Sequence, residues 1–373
     1  MWNLKRKMFR KNKETLPFAK LDFDGKLITS QDCLKTLYLD TFIHRLRSRP
    51  IKDDLYHLRM LKEELCEERL KLARLSKTPC WVKEDLQKVL KALKLNKSRD
   101  PHGCINELFK PGVVGESLQD SILTLLNGIK EEISIPEFME FANIVSIYKG
   151  RGVKSSLQSD RGIFLVNILR GLLMKLVYQD KYATVDESMS DSQIGARKKK
   201  NIRNHIFILN GIINEAINTG KSIDVLIYDY RQCFDTLWLK ECINDLYDAG
   251  IQDDKLALIF EANKSNKVAV KTPFGLTSRV NIDQIVLQGE VFGPLQCSVQ
   301  VDTFAKECLE EKKLLYTYKE KVKVPALSMV DDLACIAQSG LDAVEVNSFI
   351  NAKTNVKKLQ FGVDKCHQIH VGG

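Results

Sequence analysis

Two sets of aspartates in this 373-residue chain stand where carboxylates would hold divalent cations. Asp229 directly follows the apolar segment 222–228 and leads into Tyr230-Arg231-Gln232-Cys233-Phe234-Asp235. Asp331-Asp332 is set between the apolar runs 326–330 and 333–337, as at the tip of a tight hairpin. Like charges flanked by apolar strands are costly unless a cation or hydrogen-bond donors offset them. Hard oxygen ligands of this kind suit Mg²⁺, with Mn²⁺ as a substitute. A pair of such ions serves phosphoryl transfer by activating a hydroxyl and stabilising the leaving oxygen. Taken alone, Asp-Asp is also an ordinary solvated turn. Strand alternation puts Asp331 and Asp332 on opposite faces, so at most one points at a shared partner. Cys366-His367 with His370 offers metal-ligand types close together but no distant partner, a weak zinc pattern.

The elements that must position these acids are α+β in pattern. Asp24-Gly25 marks a hairpin turn within 21–30. Apolar spacing predicts helices across 31–76, broken at Arg49-Pro50. Beyond Thr78-Pro79 the pattern gives a helix over 83–94, a loop over 96–103, a helix over 118–132 and a strand over 142–148. The turn Gly150-Arg151-Gly152 follows, then helices over 164–177 and 203–218. The segment 222–228, rich in Ile, Val and Tyr, reads as a strand, followed by a helix over 238–249. Later come a strand at 268–271, a helix over 293–310 and hairpins over 314–324 and 326–337. Helices mixed with antiparallel strands indicate α+β rather than a doubly wound sheet.

Composition narrows the function class. Lysine and arginine total 57 against 48 acids, a formal charge of +9 that favours a polyanionic partner such as nucleic acid. With 44% apolar and 28% charged residues, the chain is globular rather than disordered. No apolar run approaches the roughly 18 residues of a membrane span, so no membrane partner is expected. The ten cysteines are scattered without a C-x-x-C pair, the usage of reduced thiols in an intracellular protein, nuclear or cytoplasmic. The first 20 residues carry Lys5, Arg6, Lys7, Arg10, Lys11, Lys13 and Lys20. They read as a solvated tail, a phosphate-contacting arm or a nuclear-import signal.

A series of blocks in order resembles the reverse transcriptase domain of non-LTR (LINE-type) retrotransposons, over roughly 81–373. Asp229-Tyr-Arg-Gln-Cys-Phe-Asp-Thr-Leu-Trp238 resembles the family's D-x-x-x-A-F-D-x-x-W block. Leu287-Gln288-Gly289 with Pro294-Leu295 resembles Q-G-x-x-x-x-P-L, and Met329-Val330-Asp331-Asp332 stands for x-A-D-D. Phe361-Gly362-Val363-Asp364-Lys365 resembles the last palm block. Upstream, Asn96-Lys97-Ser98 with Gly103 resembles the N-K-S-x-G-x-D-G segment, the stretch 144–152 with Asp160-Arg161-Gly162-Ile163 resembles the nucleotide-holding fingers block, and Gln193-Ile194-Gly195-Ala196-Arg197 resembles the Q-x-G-F-R segment after it. Arg99-Asp100-Pro101-His102 departs from the family's usual glycine and aspartate there, and Val330 replaces a small alanine.

The resemblance implies an RNA-directed DNA polymerase with right-hand fingers and palm, using an RNA template, a DNA primer, dNTPs and two Mg²⁺ ions. Asp229 and Asp331 would be metal ligands, with Asp332 a supporting carboxylate. Asp235 is expected as the N-cap of the following helix. Phe234 would exclude the ribose 2′-hydroxyl, Lys149 and Arg161 would clamp the triphosphate, and Gln288-Gly289 would pack beside the nascent base pair. Lys365 is either a proton donor to pyrophosphate or a surface lysine. Arg197, Lys198, Lys199, Lys200 and Arg203 are the expected nucleic-acid contacts, or else a solvated face. The expected organisation is a basic tail and helical extension over 1–77 ahead of fingers and palm over 78–373. The family's thumb has no counterpart. The alternative is a truncated or co-opted, inactive remnant that binds nucleic acid, and other retrotransposon segments are possible partners.

Overall fold

The strand Ile223–Tyr228 alternates its side chains between two apolar layers, which puts it at the centre of a sheet rather than an edge. The computed structural model describes residues 20–22, 24–46, 55–283, 285–311, 316–324 and 326–372. In it, a four-stranded antiparallel sheet runs Leu327–Met329, Asp332–Ala337, Ile223–Tyr228, His367–Val371. Leu226 and Tyr228 join Leu333, Cys335 and Ala337 against the helices Gly293–Glu310 and Gly340–Val356. Ile223 and Val225 join Leu327 and Ile336 on the opposite face, under Ile212 and Ala216 of the helix Ile202–Thr219.

A second sheet has five strands: Asp160–Val166, Phe141–Tyr148, Ser265–Thr272 and Gly275–Leu276 in order, with Val280–Asp283 also on Ser265–Thr272. It is mixed, because Phe141–Val145 runs parallel to Lys267–Lys271. Leu34, Tyr38 and Phe42 of the helix Gln31–Leu46 cover one face, on Ile144, Phe164, Val268 and Val270. The helix Tyr56–Leu75 inserts Cys66, Leu70 and Ala73 into the main core beside Leu239–Asp248 and Asp254–Lys264. The architecture is therefore α+β. Among the described residues no helix is long and apolar enough to cross a membrane. All ten cysteines are free thiols, six of them buried.

Most predicted elements appear within a few residues of their expected ends, and three features differ. The expected helix over 164–177 is divided: Asp160–Val166 is a strand, and the helix is Ile168–Ser188. Ile163, Phe164, Leu165 and Val166 pair in register with Val145 back to Ala142. The Asn167 side chain then accepts from Leu169 N at 2.8 Å and starts the helix. Asp254–Lys264, Gly340–Val356 and the strand His367–Val371 were not anticipated. The parallel pair was not expected either. The Asp24-Gly25 turn does join two short paired strands, Lys20–Leu21 and Leu27–Ile28. The Arg49-Pro50 break and the tail cations before Lys20 lie outside the described residues.

Candidate functional site

Asp229 emerges from the central strand where its ladder ends, and Gly362 N donates to its carbonyl at 2.9 Å. Lys365 Nζ bonds Asp229 Oδ1 at 2.7 Å, so Lys365 is a partner of the acid rather than a free surface lysine. On the neighbouring strand pair, Met329 faces Asp332 and leaves Val330-Asp331 as a two-residue turn. Asp331 thus sits in the turn, outside the strand alternation. The expectation that only one of the paired acids points at a shared partner is corrected: Asp331, Asp332 and Asp229 all line one cavity of about 1040 Å³. Burial, then the charges of Asp332 and Asp229, push the Asp331 carboxyl up to about 6. Asp332 is raised by loss of solvation and by Asp229.

The turn is gripped from behind. Val330 has φ +59°, a left-handed conformation that a β-branched residue adopts only when held there. The fully buried Gln193 holds it. Its Oε1 accepts from Val330 N at 3.0 Å and from Gly195 N at 2.7 Å, and its Nε2 donates to Val330 O at 3.3 Å and Ser298 O at 3.2 Å. Ile194 N and Ser328 O close the same contact at 3.0 Å. A Cβ on Gly195 would lie 2.1 Å from Val330 N, so only glycine permits this approach.

Cations reach the same cavity from the second sheet and the helix that covers it. Lys149 follows the strand Phe141–Tyr148, and Arg161 is the exposed second residue of Asp160–Val166; both line the cavity with Arg151 and Arg45. Burial, then the charge of Arg45, lowers the Lys149 ammonium. Phe234, Asp235 and Gln288 also line it, as do Asp160, Arg231 and Asp364. Gly289 is beside Gln288 with φ +117°, and a Cβ there would meet Phe164 O at 2.8 Å. Phe164 N donates to Gln288 O at 2.8 Å, and buried Arg170 fixes the next residue through Glu290 Oε1 at 3.0 Å. Asp235 is not the expected N-cap. It lies inside the short helix Cys233–Thr236, and Trp238 occupies the cap position without a side-chain bond. Burial pushes Asp235 up to about 6, against the charges of Arg45 and Lys149.

The basic run separates into two kinds of residue. Arg197 Nε pairs with Asp186 Oδ1 at 2.8 Å, while its Nη atoms donate to the carbonyls of Ser190, Gln193 and Asp186. Its fork is consumed in fixing the turn before the helix, so a phosphate contact by Arg197 is not what the structure presents. Lys198 Nζ stands over the Tyr182 ring at 4.6 Å, and Lys200 pairs with Asp191 at 2.8 Å at the surface. Lys199 and Arg203 are exposed. Accordingly, Arg197→Ala should lower stability by about 2–3 kcal/mol, whereas Lys199→Ala should change it by less than about 0.5 kcal/mol. Thermal melts of the two variants compare them directly. Equal shifts would contradict the structural role of Arg197.

Sequence reasoning gave no role to Arg45, Arg151 or Gln193, and Arg151 was read only as part of a turn. Arg45 lies outside every recognised block, and Gln193 lies in one without a role until its turn partner is seen. His367 and His370 are in an edge strand, with His370 Nδ1 at 3.2 Å from Asp224 Oδ1 and, among the described residues, no cluster of metal ligands around them. Among the described residues no three His, Cys, Asp or Glu side chains are gathered closely enough to hold an ion as they stand. The donor chemistry of the acidic wall nevertheless fits hard divalent cations. Asp331 and Asp332 have no cation within ion-pair distance among the described residues, and the like charge of Asp229 raises both. Compared with known proteins, the chain matches no family model and no curated protein sequence.

Proposed function

We propose that this cavity is a nucleotidyl-transfer site and that the chain is an RNA-directed DNA polymerase core of the retrotransposon type, built as fingers and palm. The observation that carries the reading is one cavity lined by Asp229, Asp331 and Asp332 from the ends of the four-stranded sheet and by Lys149, Arg151 and Arg161 from the five-stranded sheet. Chemistry between a hydroxyl and a triphosphate needs this pairing of metal-binding oxygens with phosphate-binding cations. The ordered sequence blocks resembling reverse transcriptases supply the direction of the reading, since those holding Lys149, Arg161, Asp229, Gln288, Asp331 and Lys365 all contribute residues to the cavity. Asp229, Asp331 and Asp332 would hold two Mg²⁺ ions, which supply activation of a primer 3′-hydroxyl and stabilisation of the leaving oxygen. Lys149 and Arg161 bind and orient the polyphosphate. Phe234 packs where the sugar lies and selects against a 2′-hydroxyl. Lys365 holds Asp229 in place through its ion pair.

The test is primer extension on an RNA template with dNTPs and Mg²⁺, beside an Asp229→Ala control. Extension by the parent chain and none by the control is the expected outcome; indistinguishable products would remove the polymerase reading. Binding of primer–template without extension would favour the inactive remnant. In the same assay Phe234→Ala should raise ribonucleotide use relative to deoxynucleotide by about tenfold or more, read as the ratio of kcat/KM values. A parent chain that prefers NTPs would instead mark an RNA polymerase.

A further inference from the structure

The cavity wall contains a cation from the helix Gln31–Leu46, outside the stretch that carries the resemblance. Arg45 is only 6% exposed, yet it lines the cavity. Its Nη1 donates to Asp160 O at 2.8 Å and its Nη2 to Leu157 O, while the Phe42 ring lies under the guanidinium at 4.8 Å. Its Nε is buried without a partner, and among the described residues no carboxylate stands within ion-pair distance of it. Neutral carbonyls satisfy part of the fork, and no carboxylate is close enough to pair with the charge directly. A buried guanidinium in that condition is expensive unless an anion completes its surroundings. Burial lowers its affinity for its proton, against the charges of Asp235 and Asp160.

We infer that Arg45 is a phosphate-binding residue of this cavity, adding a fourth cation to Lys149, Arg151 and Arg161 for the polyphosphate of a nucleoside triphosphate. The inference rests on the nucleotidyl-transfer reading and deepens it. The ligand class follows from the cavity's two kinds of group together: a polyphosphate carrying divalent cations would satisfy both a guanidinium with no carboxylate in ion-pair range and the carboxylates of Asp331 and Asp332, which have no cation in that range. The same bonds to Leu157 O and Asp160 O hold the chain leading into Arg161, so Arg45 also links the N-terminal helix to a second cation of the site. That helix would then be part of the substrate site rather than an appendage to it.

The experiment titrates inorganic tripolyphosphate with Mg²⁺ into the full chain by calorimetry, at about 150 mM salt so that dispersed surface cations are screened. Arg45→Gln should weaken binding about tenfold, Arg45→Lys by no more than about threefold, and Arg161→Gln at least as much as Arg45→Gln. Unchanged affinity in Arg45→Gln would overturn the inference. Equal losses in Arg45→Gln and Arg45→Lys would overturn it too, because a residue that only clamps Leu157 and Asp160 does not distinguish retained charge from lost charge. If the parent chain bound no tripolyphosphate, the nucleotide reading of the whole cavity would fall with it. Binding by the parent that is insensitive to position 45 would remove Arg45 alone.

Discussion

Asp331→Asn should abolish at least about 99.9% of primer extension, a loss of about 4 kcal/mol of transition-state stabilisation, while leaving the protein equally or more stable. The two effects share one cause. Asp331 sits in a turn at the cavity, where burial and the charges of Asp332 and Asp229 raise its carboxyl to about 6. Its folded pKa lies above its unfolded value, so the ionised form opposes folding. That penalty is absent below the unfolded value near 3.8 and grows until pH passes about 6. At neutral pH the asparagine removes it, and partial solvent access limits the gain to about 1 kcal/mol, a rise of a degree or two in melting temperature. Activity follows the opposite sign: in the parent it should decline on acidification, and less steeply as Mg²⁺ is raised, because protons and the hard cation compete for the same carboxylates. A clear fall in melting temperature for Asp331→Asn would show that the carboxylate stabilises the turn and is not held there for function. Full activity in this variant would remove Asp331 from the chemistry.

Such a carboxylate trio was readable in the sequence because each acid ends an apolar segment, and segment ends survive translation into structure. The helix Gly293–Glu310 was readable for a similar local reason, with Pro294 in its first turn. So was Ile202–Thr219, bounded by Asn201 and by Gly220 in a left-handed conformation. The helix Asp254–Lys264 was not readable, since Leu256 through Phe260 are all buried and no polar face marks a period. Gly340–Val356 hid for the reverse reason: Leu341 and Val344 are exposed while Val346 and Ile350 are buried, so apolar residues appear on both faces. His367–Val371 carries almost no buried side chain and is a strand because its backbone completes the edge of the sheet. Within the site, what escaped was set by distance along the chain. Arg45 meets Asp160 across 115 residues, and Gln193 meets Val330 across 137. No local pattern encodes either meeting. The misplacement of Asp235 as a helix cap came from the short helix Cys233–Thr236, which turns that carboxylate into the cavity before the longer helix begins.

Gln193→Ala should be the most damaging change outside the cavity lining, lowering extension about 100-fold and stability by about 3 kcal/mol. The amide satisfies Val330 N, Val330 O, Gly195 N and Ser298 O at once, and alanine would leave these buried groups without it. The second consequence concerns the turn itself. Val330 at φ +59° carries strain of about 1–2 kcal/mol, which its two bonds to Gln193 offset. Without them the turn relaxes towards negative φ and carries Asp331 away from Asp229. Val330→Gly removes the strain at its source, so it should restore part of the activity in the Gln193→Ala background while changing the parent little. A double-mutant cycle read in both melting temperature and kcat measures this coupling. An interaction energy of about 1 kcal/mol or more is expected, with dNTP KM nearly constant because the cationic wall is untouched. Strictly additive effects would mean that Gln193 merely fills the core. A rise in KM at constant kcat would place its influence on substrate binding instead of on the aspartate that the turn presents.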